Sequence, residues 1–271
     1  MNFFEEDTQG LDLTTLGLGI GKKQGVMSFR SKFDITLSGM SEVLKLQKEL
    51  GIECKSYKND GEEVKSGELI LDSYASAEAL HKAWKISQNI FEYMSGIATY
   101  TNKLLRVAQE INPNISIATT RKNFPGSKKL IIQAVLDGGG VPHRLGTYDS
   151  VLIFEQHRAF LSNADELKSA FEKLKNKFLE KKITVEVDSY EDALYFAKLG
   201  ADILQCEKME LEELKSCVNL KKEFTNLILI ATGGINLDNV KEYAKSGVDG
   251  IATSSPYHAM PQDIKITMKA L

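Results

Sequence analysis

Beyond residue 149 the chain alternates short apolar runs with amphipathic stretches, and this rhythm limits the fold more than any other feature. Asp149 to Phe154, Ile183 to Val187, Ile203 to Gln205, Leu227 to Ala231 and Gly250 to Thr253 read as strands. Between them, Ala164 to Lys181, Tyr190 to Leu199, Leu211 to Leu220 and Leu237 to Ser246 carry apolar positions at helical spacing, and Gly200 is placed to stop the second of these helices. Strands joined through helices lie parallel, because an antiparallel neighbour would need only a tight turn. Units of about 20 to 25 residues repeated this often argue for a curved, barrel-like parallel sheet.

The amino-terminal part follows a different pattern. Glu5 to Thr15 is polar, with Asp12 and Thr14 as capping residues. Val26 to Arg30 and Phe33 to Leu37 alternate apolar with polar, as half-buried strands do. Ser38 to Leu50 has a helical face of Met40, Val43, Leu44, Leu46 and Leu50, opened by Ser38 or Ser41 and closed by Gly51. Glu53 to Tyr57, the turn Asn59-Asp60-Gly61, and Glu68 to Asp72 complete a small α+β layer. Ser76 to Met94 is then expected as a long amphipathic helix, which Ser95-Gly-Ile-Ala-Thr99 interrupts before a second helix, Tyr100 to Ile111. Pro261 to Leu271 forms a final element.

With 34 basic against 37 acidic residues the net charge is −3, so no global attraction to nucleic acid or an anionic membrane is expected, and any polyanion must be held locally. Three cysteines, Cys54, Cys206 and Cys217, lack metal-ligand spacing and read as reduced thiols. The opening Met1 to Asp7 turns acidic at once and no apolar run approaches membrane-spanning length, so a soluble cytoplasmic protein without a secretory signal is expected.

The densest chemistry lies between Thr119 and Leu145. The passage carries Arg121, Lys122, Lys128, Lys129 and Arg144, with His143 and a run of glycines at Gly138 to Gly140. The apolar run Ile115 to Thr120 reads as a buried strand, so Arg121 and Lys122 emerge at its carboxyl end, where α/β sheets place ligands. A charge run alone is usually a solvated loop. Glycines that allow close backbone approach, followed at once by His143-Arg144, favour a polyanionic ligand. Glu186 alternates against Val185 and Val187 and so points into a barrel, and Glu207 stands at the end of the next strand; inward acids require a cation, a metal or sugar hydroxyls. Ala231-Thr-Gly-Gly-Ile235 and Gly250-Ile-Ala-Thr-Ser-Ser255 each follow a strand, and the last two loops of a barrel are common phosphate sites. In the first of them the strand is expected to run directly into a helix whose amino terminus faces the anion.

These motifs together, Thr120-Arg-Lys122, Gly138-Gly-Gly140, His143-Arg144 and Val151-Leu-Ile-Phe-Glu-Gln-His157, resemble the quinolinate phosphoribosyltransferase (nicotinate-nucleotide pyrophosphorylase) family over nearly the whole chain. Within it, Arg-Lys-Asn-Phe-Pro-Gly-Ser-Lys-Lys and Leu-Ile-Phe-Glu-Gln-His-Arg-Ala-Phe look most like the branch known as molybdenum transport protein ModD. The resemblance implies an α/β fold: a small amino-terminal α/β sandwich domain in 1–111, on which the last residues pack back, and an incomplete α/β barrel of parallel strands in 112–264. It implies transfer of phosphoribosyl from phosphoribosyl pyrophosphate to a quinolinate-like heterocyclic acid with release of pyrophosphate, aided by Mg2+, in a homodimer or higher oligomer with shared sites.

By resemblance Arg121, His143 and Arg144 hold the acid and Lys122 approaches the pyrophosphate. Glu186 and Glu207 lie near the ribose and Mg2+, and Thr232, Gly233, Gly234, Thr253 and Ser254, with His258, bind the 5-phosphate. Several positions depart from the pattern: Lys85 stands where an arginine reaches into the neighbouring subunit's site, Phe154 replaces a lysine in the acid pocket, Glu207 stands where the pattern has aspartate, and Ser254 replaces a glycine, with Pro256 and Tyr257 also differing after it. Loss of the lysine's charge at Phe154 and of the arginine's planar fork at Lys85 suits an acid with fewer carboxylates or more aromatic character. The alternative reading is a non-catalytic oxyanion- or nucleotide-binding protein in molybdate handling.

Overall fold

The computed structural model describes residue 7 and residues 11–271. Glu5, Glu6, Gln9 and Gly10 of the polar opening lie outside the described residues. In chain order the elements are α1 (Leu13–Gly17), β1 (Gln24–Ser31), β2 (Ile35–Thr36), α2 (Met40–Glu49), β3 (Glu53–Ser56), β4 (Glu63–Val64), β5 (Leu69–Ser76) and α3 (Ala77–Gln109). There follow β6 (Ser116–Thr119), α4 (Lys128–Asp137), β7 (Val141–Pro142), β8 (Val151–Ile153), α5 (Glu155–Arg158), α6 (Ala164–Lys177) and β9 (Ile183–Val187). The chain ends with α7 (Tyr190–Leu199), β10 (Ile203–Glu207), α8 (Leu211–Asn219), β11 (Ile228–Thr232), α9 (Val240–Lys245), β12 (Gly250–Thr253) and β13 (Ile264–Ala270). Contacts divide the chain into two compact units, one of residues 1–102, 124–139 and 256–271, the other of residues 103–123 and 140–255.

The first unit is a four-stranded antiparallel sheet in the order β13-β1-β5-β3, with a two-stranded β2-β4 ribbon. β13 runs antiparallel to β1 from Gly25↔Ala270 to Ser31↔Ile264, so the carboxyl-terminal strand completes the amino-terminal sheet. Met27, Phe29, Ile70, Leu71 and Phe91 are fully buried in its core, where Phe29 and Phe91 meet edge to face at 5.6 Å. Inside this core Gln47 is satisfied by Ser87 at 3.1 Å and Ser73 at 2.6 Å. Gly39, with φ of 103°, is the residue before α2 and offers no side-chain cap; the carboxylate of Asp60 accepts instead from the Met40 N–H at 2.7 Å and the Ser41 N–H at 3.0 Å. The cap thus comes from the Asn59-Asp60-Gly61 turn and not from Ser38 or Ser41.

One expectation for this unit is corrected. Residues 77 to 109 form one uninterrupted helix of 33 residues, so Ser95 to Thr99 does not break it. The small residues there serve packing: a Cβ on Gly96 would lie 2.6 Å from the Met260 carbonyl oxygen. The passage after Arg121 also holds a helix that no expectation named, Lys128–Asp137, with Leu130 and Ile131 packed on the first unit's core. Lys129 pairs with Glu42 at 3.1 Å, and a Cβ on Gly138 would lie 2.5 Å from the Ala98 carbonyl oxygen. The glycine run therefore allows α4 and α3 to approach closely, and Lys129 is committed to a structural ion pair.

The second unit is a seven-stranded parallel sheet in the order β7-β6-β12-β11-β10-β9-β8. Its last strand in sequence, β12, pairs with its first, β6, from Gly250↔Ser116 to Thr253↔Thr119. The sheet curls as a barrel does, but β7 and β8 are its two ends, and the result is an open half-barrel. Val185, Leu204, Leu229, Ala231 and Ile251 are fully buried, as expected for strands covered on both faces. Among the described residues no helix is long and apolar enough to cross a membrane.

Candidate active site

Parallel pairing gathers the ends of the strands, and the sequence-predicted residues of the second unit cluster there. Arg121 and Lys122 follow β6, His143 and Arg144 follow β7, and Phe154 follows β8. Glu186 lies in β9 and Glu207 closes β10; Thr232 closes β11 and Thr253 closes β12. Lys85 and His258 belong to the first unit. Lys85 is exposed on α3, its Nζ donating to Gln88 Oε1 at 2.9 Å and lying 5.3 Å over the Trp84 ring, and His258 is exposed in a short turn.

The pleat presents Glu186 and its register partner Gln205 on the same face, where Gln205 Nε2 donates to Glu186 Oε2 at 2.7 Å. Burial and the neighbouring Glu207 carboxylate push the Glu186 carboxyl above its ordinary value, while the amide of Gln205 and the charges of Lys122 and Arg158 pull it back. Arg144 is only 8% exposed and has no hydrogen-bond acceptor among the described residues; its guanidinium instead rests 5.2 Å over the Phe154 ring. Burial and the adjacent Arg121 charge push Arg144 down, and Glu186 opposes them. An unpaired guanidinium on a largely buried residue, beside a second guanidinium and with no carboxylate in hydrogen-bond reach, is an environment that an anion would relieve. His143 is pushed down by burial and by Arg144, so its ring is neutral at neutral pH, and its backbone N–H donates to the Thr119 carbonyl at 2.9 Å. The Thr119 hydroxyl, on the same strand end, is buried without a hydrogen-bond partner.

The loops after β10, β11 and β12 interlock. Gly233 and Gly234 have φ of 93° and 70°, which glycine adopts without strain. A Cβ on Gly233 would lie 2.4 Å from Lys208 Cγ and 3.1 Å from Glu207 Oε1, whereas one on Gly234 would meet open space. Lys208 is the non-glycine residue with positive φ among the described residues, at 53°, and its N–H donates to the Thr232 carbonyl at 2.8 Å. The Thr253 hydroxyl donates to the Ile235 carbonyl at 2.6 Å and accepts from the Ser255 N–H at 3.0 Å, so it ties two loops together. Ser254 beside it is half-buried. The strand does not run straight into a helix here: α9 begins only at Val240 and has six residues. The intervening turn is organised by Asn239, which accepts from the Asn236 N–H at 2.8 Å and donates to the Gly234 carbonyl at 3.1 Å.

Arg158 is a member of the cluster that the sequence reading passed over. It pairs with Asp192 at 2.6 Å, lies 5.3 Å over the Phe196 ring, and keeps its Nε buried without a partner, while its charge reaches Glu186. The signal was its place four residues after Phe154, one turn along a helix that starts at a strand end. With Arg121, Arg144, Phe154 and His157 it also borders a cavity of about 510 Å3.

Among the described residues no three His, Cys, Asp or Glu side chains converge as a metal cage. Glu186 and Glu207, whose proximity raises the Glu186 pKa, do fit Mg2+, which is commonly held by one or two carboxylates together with waters and substrate phosphates.

Comparison with known proteins bears on the whole chain. The family model for the N-terminal domain of quinolinate phosphoribosyl transferase matches residues 12–95, and that for its C-terminal domain matches residues 97–267. A Pasteurella multocida protein named as a pyrophosphorylase, ModD, is 37% identical over 269 residues, covering 99% of this chain and 95% of that protein. A Methanocaldococcus jannaschii protein named as a carboxylating nicotinate-nucleotide pyrophosphorylase is 33% identical over 244 residues, covering 88% of this chain and 84% of that one. The nicotinate-nucleotide pyrophosphorylase structure from Francisella tularensis superposes with a TM-score of 0.89 at 23% identity, covering 98% and 93% of the two chains, and so shares the fold. The chain therefore belongs to the quinolinate phosphoribosyl transferase family, whose members are phosphoribosyltransferase enzymes.

Proposed function

We propose that the chain transfers the phosphoribosyl group of phosphoribosyl pyrophosphate to a quinolinate-like heterocyclic acid. The observation that carries this reading is the unpaired guanidinium of the largely buried Arg144 beside Arg121, with no carboxylate in hydrogen-bond reach, across from the Glu186 carboxylate. The strand ends of one half-barrel thus offer an anion-binding side and a carboxylate side. In the reaction the bond from ribose C1 to the pyrophosphate oxygen breaks with its electron pair leaving on pyrophosphate, and the ring nitrogen of the acid forms the new bond to C1.

Arg121 and Arg144 grip the carboxylate of the acid bidentately, and neutral His143 supplies a ring N–H without adding a positive charge to theirs. Lys122 lies close enough to Glu186 to lower its pKa and faces the departing pyrophosphate. Glu186 and Glu207 stabilise the positive charge that develops on the ribose, held apart from the two arginines so that neither pair cancels the other. The open Cβ position of Gly234 and the backbone around Thr232, Gly233 and Ser254 receive the 5-phosphate, while Thr253 fixes the loop. Mg2+ held by Glu186 and Glu207 would neutralise charge on the pyrophosphate. Lys85, exposed on α3, serves from a second copy in a homodimer.

Pyrophosphate release with Mg2+, measured over quinolinate and a panel of pyridine and pyrimidine acids, tests the reading. Release that depends on one of these acids supports it. Binding of phosphoribosyl pyrophosphate or molybdate with no release for any acid would favour the binding-protein alternative in molybdate handling.

A further inference from the structure

The cavity of about 510 Å3 at the β8 edge of the half-barrel has a predominantly apolar wall into which a few polar and cationic side chains reach. Arg121 and Arg144 are among these; the wall continues through Phe154 and Ile153 on the β8 side, and through Leu167 and Phe171 of α6. Arg158 also borders it, but that guanidinium is committed to Asp192 at 2.6 Å and to the Phe196 face. Thr147, Ser150 and His157 also line the cavity, no acidic residue does, and the remaining lining side chains are apolar. The volume is within the range of small-molecule sites and is several times what a single six-membered ring bearing two carboxylates would fill.

We propose that this cavity receives an apolar substituent of the acceptor acid, so that the acceptor is a heteroaromatic monocarboxylic acid, with a ring nitrogen, carrying a hydrocarbon extension. The proposal rests on the phosphoribosyl-transfer reading for its account of why an acid binds here at all. The carboxylate meets Arg121 and Arg144, the ring lies against Phe154, and the extension leads away between β8 and α6. A second carboxylate on the far side of the ring would enter the apolar part unpaired and is selected against.

The test is a calorimetric titration of the full chain with benzoate and with 4-butylbenzoate, in the presence of phosphoribosyl pyrophosphate and Mg2+. Four buried carbons are expected to make 4-butylbenzoate bind at least about tenfold tighter. Ala170 lines the cavity, and Ala170→Phe should bring the ratio of the two affinities close to one, with the milder Ala170→Leu falling between. A ratio near one in the native chain, or a ratio unchanged in either folded variant, would overturn the proposal. The two readings fail separately: no pyrophosphate release with any acid while the affinity ratio holds removes phosphoribosyl transfer and leaves the cavity assigned. Release with quinolinate and a ratio near one does the reverse.

Discussion

Arg144 shows how far a single residue constrains the chemistry. A guanidinium does not lose its proton to escape burial, so the cost of placing it beside Arg121 persists until an anion arrives. Arg144→Leu should therefore reduce pyrophosphate release by about 100-fold or more while leaving thermal stability equal or higher, a pairing that kinetics and calorimetric melting check together. Glu186 makes the complementary case. Its folded-state pKa is raised above the ordinary value of 4.5, so the stability it contributes is full below that value and is lost as pH rises through the raised one. Glu186→Gln should melt at a higher temperature than the native chain at pH 7, with the difference shrinking toward pH 4, and should lose about 100-fold in turnover. A native chain that melts higher than the variant at pH 7 would contradict the assignment. His143 has the opposite sign: its depressed pKa gives stability present above about 6.5 and lost as the pH falls through the folded value. At this scale the sequence was legible wherever a candidate site residue lay at or just beyond the end of a strand, as Arg121, Arg144, Glu186 and Glu207 do. Arg158 was not, because its role depends on Asp192 and Phe196, remote positions that only the fold brings to it.

Among the elements, periodicity found the βα units but misjudged their ends. Ala164–Lys177 stops short of Lys181, and α9 starts three residues later than its apolar spacing suggests, because the Asn236-to-Asn239 turn takes the first of them. The missed helix Lys128–Asp137 carried a helical signal in Leu130, Ile131, Ala134 and Val135, hidden by the lysines before it and the glycines after it. The supposed break at Ser95 to Thr99 was the converse error: Gly96 reads as a helix breaker, yet its missing side chain admits the Met260 carbonyl. Gly96→Val should accordingly destabilise the fold by about 1–3 kcal/mol, read from denaturant unfolding, far more than the helix-propensity difference would give. Asp60→Ala, which removes the cap of α2 from outside the helix, should cost about 1 kcal/mol in the same measurement. No cost at Asp60 would mean that the Met40 and Ser41 amides find other acceptors.

For the whole molecule, the chain enters the first unit three times, with residues 1–102, 124–139 and 256–271, and such an interleaved path leaves no mark in local composition. What could be read was the resemblance, because the motifs that carry it sit at strand ends whatever route the chain takes between them. The shared-site proposal belongs to this scale as well: sedimentation should give at least twice 30.1 kDa, and a fully active monomer would remove Lys85 from the site. The central claim, that the strand ends of the half-barrel join an acid to a phosphoribosyl group, is tested most directly by the mass spectrum of the products formed from phosphoribosyl pyrophosphate, Mg2+ and the acid panel. The account predicts a covalent adduct of ribose 5-phosphate with one acid, formed in step with pyrophosphate and lost in Arg144→Leu. Ribose 5-phosphate and pyrophosphate alone, or no product while ligands still bind, would contradict it.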